Sequence, residues 1–246
     1  MIYIQLLTLV LLILTYAIVN SISVIVIFII FYIVGNLLVY IFTKKQHHNH
    51  SKPIQIFQLT FLSSFIYAFL CYCYMIQNNY SFLQSIDGYS VYIPYAMELI
   101  NVSSFYDLVD IIYNVPKYSF VGSILILFVY VAKISSYMDA EFYITIQTSI
   151  IFFASLTSVV IYKILTINNI KNAFAWTLVY SLLSIHFINS TYIVRDMPIT
   201  FFFTVIIYLS FRPNSTRKIL IMLACAFSIA TIRLSSGIFS TIFIFL

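Results

Sequence analysis

Long apolar runs separated by short polar breaks constrain this chain more than any other feature of its sequence. A helix that crosses about 30 Å of hydrocarbon needs roughly 17 to 25 apolar residues, and such stretches occur at 1–19, 22–43, 54–77, 142–162, 173–191, 198–211 and 219–234. Water could not solvate a surface made from them. Of 246 residues, 63% are apolar and 8% charged, whereas an ordinary soluble domain is about a quarter charged. The expected fold is all-α: a polytopic transmembrane helical bundle of about seven spans, forming a single transmembrane domain over 1–246. The first run lacks the basic start and small-residue cleavage site of a signal peptide and is followed at once by the second, so it reads as a retained helix. The last residues, Ile244-Phe245-Leu246, fall inside an apolar run, which gives the expectation of a chain truncated at its C-terminus.

The few charges orient the bundle. Residues 78–141 form the long polar segment, read as a large first external loop with surface or re-entrant pieces, and within it 119–134 is apolar but short. If 119–134 crossed the membrane, the basic loops would divide almost evenly between the two sides. If it lies along one face, Lys44, Lys45, Lys52, Lys163, Lys171, Arg212, Arg217 and Lys218, eight of the twelve basic residues, all fall on the cytoplasmic side. All seven acids, Asp87, Glu98, Asp107, Asp110, Asp139, Glu141 and Asp196, then lie outside. Acids hardly steer topology, so their clustering points to a site. Asp107 and Asp110 share one side of an amphipathic surface helix expected over 104–113.

Three groups of residues can carry chemistry there. Asp87-Gly88-Tyr89 opens a stretch continuing through Tyr92, Pro94 and Tyr95. A carboxylate on that turn can accept a proton from an acceptor hydroxyl, and the tyrosines can stack on sugar rings; a solvated turn with interfacial aromatics is the alternative. Arg195-Asp196-Met197-Pro198 opens a span. Asp196 there is either a helix cap that complements the dipole or part of a site, and the Arg195 fork suits a lipid-linked phosphate. Arg233 either snorkels to the interface or joins Arg195 on that phosphate, with Lys117 as a weaker third cation.

Other classes of function find no footing. There is no glycine-rich phosphate loop, zinc motif or nucleophile elbow, and Cys71, Cys73 and Cys225 all sit in apolar stretches. His47, His48 and His50 read as a basic juxtamembrane loop, and His186 as a packing residue. Basic residues scattered in ones to threes form no nucleic-acid face.

The layout resembles the GT-C class of membrane glycosyltransferases and the related polymerases of bacterial O-antigen and exopolysaccharide repeat units. The residues that carry the likeness are Asp87-Gly88-Tyr89 in the first large loop, Tyr113 to Pro116 before the next apolar segment, Arg195-Asp196 opening a span, the basic loop Arg212 to Lys218, and Thr231-Ile232-Arg233. The resemblance implies a sugar donor on a polyprenyl phosphate or pyrophosphate and a reaction at the outer face of the cytoplasmic (inner) membrane. It implies Asp87 as base, Asp196 as a second acid in the site, Arg195, Arg233 and Lys117 as phosphate contacts, and Tyr89, Tyr92 and Tyr95 as sugar contacts. The expected partners are the polyprenyl-linked saccharide and membrane lipids, with no metal, nucleotide, haem or other cofactor and no nucleic acid. A multi-pass transporter or flippase of lipid or solute, or a non-catalytic membrane subunit, is the alternative.

Overall fold

The computed structural model describes residues 2–43, 51–78, 88–119, 122–137, 142–192 and 194–245, and among them every regular element is a helix. In chain order these are α1 (Ile2–Val19), α2 (Ile22–Thr43), α3 (Ser51–Asn78), a π-helical turn (Gly88–Tyr92) running into α4 (Ile93–Leu99), α5 (Phe105–Asn114), α6 (Pro116–Ser119), α7 (Gly122–Tyr137), α8 (Phe142–Ile167), α9 (Ala173–Leu182), α10 (Ser184–Thr191), α11 (Asp196–Ser210), α12 (Thr216–Ile232) and α13 (Leu234–Phe245). Three helical stretches, Val24–Thr43, Ser51–Met75 and Tyr143–Ile167, are long and apolar enough to cross a membrane. Asp87, Asp139 and Glu141 lie outside the described residues.

Each apolar run becomes helix because uniform hydrophobicity leaves the backbone only its own groups to bond, and local polar residues set the ends. Asn20 adopts a left-handed φ of 51° after α1, with its N–H donating to the Tyr16 carbonyl at 2.8 Å. Ser104 caps α5 by accepting from the Tyr106 N–H at 3.2 Å, and Ser215 caps α12 by accepting from the Lys218 N–H at 3.2 Å. The run 173–191 departs from expectation: Leu183, at ψ 131°, splits it into α9 and α10. The last run, 219–234, ends as expected at Arg233, which is extended, and α13 turns back on α12 there. The turn is tight enough that a Cβ on Gly237 would meet Ala230 Cα at 2.4 Å, and Phe203 of α11 lies 5.9 Å from Phe243.

Helix α8 is the hub. In its apolar stretch 67% of the residues are buried, against 28% for α2, so α8 is central and α2 peripheral. Small polar residues let neighbours approach α8 and satisfy themselves locally: Ser158 accepts from the Ser181 hydroxyl of α9 at 2.8 Å while donating to the Ala154 carbonyl at 3.2 Å. On the α2–α3 side the core is aromatic, with Phe28 packed edge-on to Phe65 at 4.6 Å and Phe57 stacked on Phe61 at 5.5 Å.

The bundle has two chemically different ends. At one, Phe42 of α2 touches Tyr208 of α11 at 5.3 Å, and Lys163 of α8 lies within electrostatic range of Arg212. At the other, α4, α5, α6 and α7 share one core with Ile146 and Ile150 from the first turns of α8, Met197 from the start of α11, and Ile232 from the end of α12. The four described acids, Glu98, Asp107, Asp110 and Asp196, all belong to elements of this second end. Most of segment 119–134 falls on α7, which packs against α4 and α5 on one side and against α8 and α12 on the other. Its Lys133 ammonium donates to the Val102 carbonyl, tying α7 to the link between α4 and α5.

Candidate functional site

Helix α5 forms where its sequence demands an amphipathic helix. Leu108 and Ile112, four apart, are buried, while Asp107 and Asp110 are exposed. It roofs a groove whose other walls come from α7 (Ser123, Ile124, Leu127), α8 (Phe153), α11 (Pro198, Phe202) and α12 (Phe227, Ser228, Thr231, Ile232), with Tyr113 contributed by α5 itself. The groove holds about 690 Å³ and its lining is almost wholly hydrocarbon and aromatic. Volumes of roughly 300 to 1,000 Å³ are those of small-molecule sites. Ser123 and Thr231 share a hydroxyl–hydroxyl bond of 2.8 Å across it, which pins α7 to α12.

The arginines and Asp196 stand at its margin. Arg233 directly follows the lining residue Ile232 and its side chain is exposed. Asp196, two residues before the lining Pro198, is exposed in the first turn of α11, where a carboxylate favours the helix dipole. Arg195 is 8% exposed and already engaged within the protein. Of the two arginines, Arg233 is therefore the one open to a headgroup in this conformation.

The tyrosines separate. Tyr89 falls within the π-helical turn, but its side chain is outside the described set. Tyr92 is 2% exposed with its ring edge-on to Phe128 at 6.1 Å, which corrects the expectation of a sugar contact: the ring is spent on the core. Its register explains this, since Tyr92, Ala96 and Leu99 fall on one helical face and are all buried. Tyr95 is half-buried and packs edge-on to Tyr118 at 5.0 Å.

Beside it lies a group that the sequence did not single out. Lys117 donates to Glu98 at 2.6 Å, the Tyr118 hydroxyl donates to the same carboxylate oxygen, and the Lys117 ammonium sits 4.7 Å from the Tyr118 ring centre and 5.6 Å from that of Tyr95. Lys117 is therefore committed to Glu98, which weakens it as a phosphate contact. The bonds from Lys117 first, then Tyr118, hold the Glu98 carboxyl below its ordinary value, and the bond to Glu98 raises the Lys117 ammonium. Nineteen residues separate Glu98 from Lys117, so no local spacing could reveal the pair.

An acid with a lowered value contributes above its unfolded value and loses that contribution as pH falls through the folded one. The α4–α6 tether is thus expected at neutral pH and is lost only once pH drops below the ordinary 4.5 of Glu98. Because the pair is half-exposed, its effect is local. Glu98→Gln is expected to speed hydrogen exchange across 116–119 by roughly two- to fivefold at pH 7, and unchanged exchange would contradict the tether.

Taken together, the described residues form an all-helical fold with three helices long and apolar enough to cross a membrane and an apolar cleft roofed by the amphipathic α5. Comparison with protein-family models, with curated proteins and with solved structures finds no match to this chain.

Proposed function

We propose that the chain is a multi-pass protein of the cytoplasmic (inner) membrane that transfers a saccharide from a polyprenyl phosphate or pyrophosphate carrier at the outer face, as an O-antigen or exopolysaccharide polymerase or a GT-C glycosyltransferase would. In this reading α1, α2, α3, α8, the α9–α10 pair, α11 and α12 make seven passes, and α7 lies under the external cap. The single observation that carries the reading is the apolar groove between α7, α8, α11 and α12, with Arg233 and Asp196 at its margin. A prenyl tail is a hydrocarbon chain with an anionic end, and this groove pairs a hydrocarbon wall with a cation.

The proposed step uses that groove for the carrier and Asp87 as the base. An acceptor hydroxyl oxygen attacks the anomeric carbon of the donor and its proton passes to the Asp87 carboxylate. The bond from the anomeric carbon to the carrier's phosphate oxygen breaks, and the charge on the departing phosphate is met by Arg233 and, to a lesser extent, by Arg195. Fixed cations contribute most where charge develops. Tyr95, and Tyr89 beside Asp87, are the aromatic faces left for the sugar.

The test is carrier binding by the full chain in detergent. Arg233→Gln is expected to weaken polyprenyl-phosphate binding by roughly tenfold or more, since hydrogen bonds to charged groups are worth about 1.5 to 3 kcal/mol. Arg195→Gln is expected to weaken it less, because that side chain is already engaged. Wild-type affinity in Arg233→Gln would return this residue to simple snorkelling.

A further inference from the structure

A second apolar groove, separate from the first, opens between α2, α8 and α11 towards the basic end. It holds about 250 Å³ and is walled by aliphatic and phenylalanine side chains. On α2, Leu38 and Ile41 are exposed beside it, so it is open from the side.

Helical register carries its walls into cations. On α8 the lining residues Leu156, Val159 and Val160 are followed one turn on by Lys163. On α11, Phe201 and Val205 are followed by Tyr208, one turn on, and then by Arg212 just past the helix. Phe42, the groove residue nearest the end of α2, rests its ring 5.3 Å from Tyr208. Arg212 donates to the Tyr208 hydroxyl at 2.7 Å, and its guanidinium lies 5.2 Å from the ring centre. Lys163 is close enough to Arg212 for the two cations to repel, and Lys218 joins them by donating to the Arg212 carbonyl at 2.9 Å. Neither α2 nor α8 contains an acidic residue, and Asp196 on α11 is at the far end of that helix. An anion among these cations reduces their mutual repulsion, and basic pockets between membrane helices suit phospholipid headgroups.

We propose that this groove binds an anionic phospholipid, with one acyl chain along α2, α8 and α11 and its phosphate at Arg212 and Lys218; Lys163, 4% exposed and already engaged within the protein, contributes only its field. The site is independent of glycosyl transfer: it shares no lining residue with the groove that would hold the carrier, adjoins it across the Phe153–Phe201 contact at 5.7 Å, and opens towards the other end of the bundle. Its occupant fits both halves: the apolar walls take hydrocarbon, and the charge at the end selects an anionic headgroup over a zwitterionic one.

The experiment uses the full chain in detergent, incubated with equal amounts of phosphatidylglycerol and phosphatidylcholine carrying the same acyl chains, and counts retained lipid by native mass spectrometry. Phosphatidylglycerol is expected to be retained over phosphatidylcholine by roughly fivefold or more, at about 1 kcal/mol per cation. Arg212→Gln is expected to reduce that preference roughly fivefold. Val205→Trp, which fills the groove and leaves the cations in place, is expected to reduce phosphatidylglycerol retention itself. Lys218→Gln serves if Arg212→Gln does not purify as a monodisperse helical protein. Equal retention of the two lipids, or retention unchanged in the variants, would overturn the proposal. Displacement of the lipid by millimolar inorganic phosphate would overturn it as well, because the groove would then contribute nothing.

Discussion

Replacing Asp87 by asparagine is expected to abolish long-chain saccharide while leaving the protein in the membrane at its normal level. Asparagine keeps the size and shape of the side chain and removes its capacity to take a proton, so the variant isolates the base from the turn. General-base assistance is worth about 10²- to 10⁴-fold, enough to collapse a chain-length distribution that depends on many successive transfers. Asp87 adjoins Gly88, the first residue of the π-helical turn, and four residues further on Tyr92 is anchored in the core against Phe128. The neighbouring backbone is thus held by packing that the substitution does not touch. The measurement is the size profile of membrane-derived saccharide, made with and without the wild-type chain and with the variant. Wild-type length in Asp87→Asn would remove the base and favour a non-catalytic subunit. A solute or lipid transporter would show changed uptake or flipping with no change in chain length for either form.

The second large effect is expected at Gly35, where α2 meets α3. A Cβ added there would lie 1.9 Å from Phe57 Cζ and 2.6 Å from two further atoms of the ring. That ring is fully buried and stacked on Phe61, with Phe152 edge-on at 6.4 Å, so it has little room to retreat. Two effects oppose one another in Gly35→Ala. Alanine gains about 1 kcal/mol of helix propensity, and overpacking a well-filled core costs about 1 to 3 kcal/mol. At 1.9 Å the clash is deep, so overpacking wins and the thermal midpoint in detergent is expected to fall. Combining Gly35→Ala with Phe57→Leu is expected to recover much of the loss, because the shortened side chain vacates the space the new methyl needs. A midpoint that rises in Gly35→Ala would mean that α2 and α3 do not meet at this position.

Much of the helical framework was legible before any coordinates. Six of the seven apolar runs read from the sequence coincide with single helices, the run 173–191 being split at Leu183, and the amphipathic helix expected at 104–113 is found at Phe105–Asn114 with Ser104 as its cap. Those features rest on local rules: run length, period and the chemistry of a capping hydroxyl. The four described acids share one end of the bundle, in keeping with their grouping in the sequence.

What was not legible depends on residues distant in the chain. Tyr92 and Tyr95 look alike in sequence, yet one is core and the other lies beside an ion pair, because only packing against α7 distinguishes their faces. The Ser123–Thr231 bond across the first groove joins residues 108 apart, and Lys163 on α8 lies within electrostatic range of Arg212 beyond α11. The break at Leu183 carries no proline or glycine to announce it.

By itself, then, the sequence determined that this chain is helical and apolar enough for a bilayer, where most of its helices start and stop, and how few charges it has to work with. These follow from backbone hydrogen bonding and hydropathy, which act over a few neighbouring residues. Tertiary structure decided which charges meet, which tyrosines are consumed by the core, and that two apolar grooves open towards opposite charged ends. Those depend on contacts between helices, and a contact between helices is fixed by the fit of side chains from both, such as Phe57 against Gly35, which neither run of sequence specifies alone.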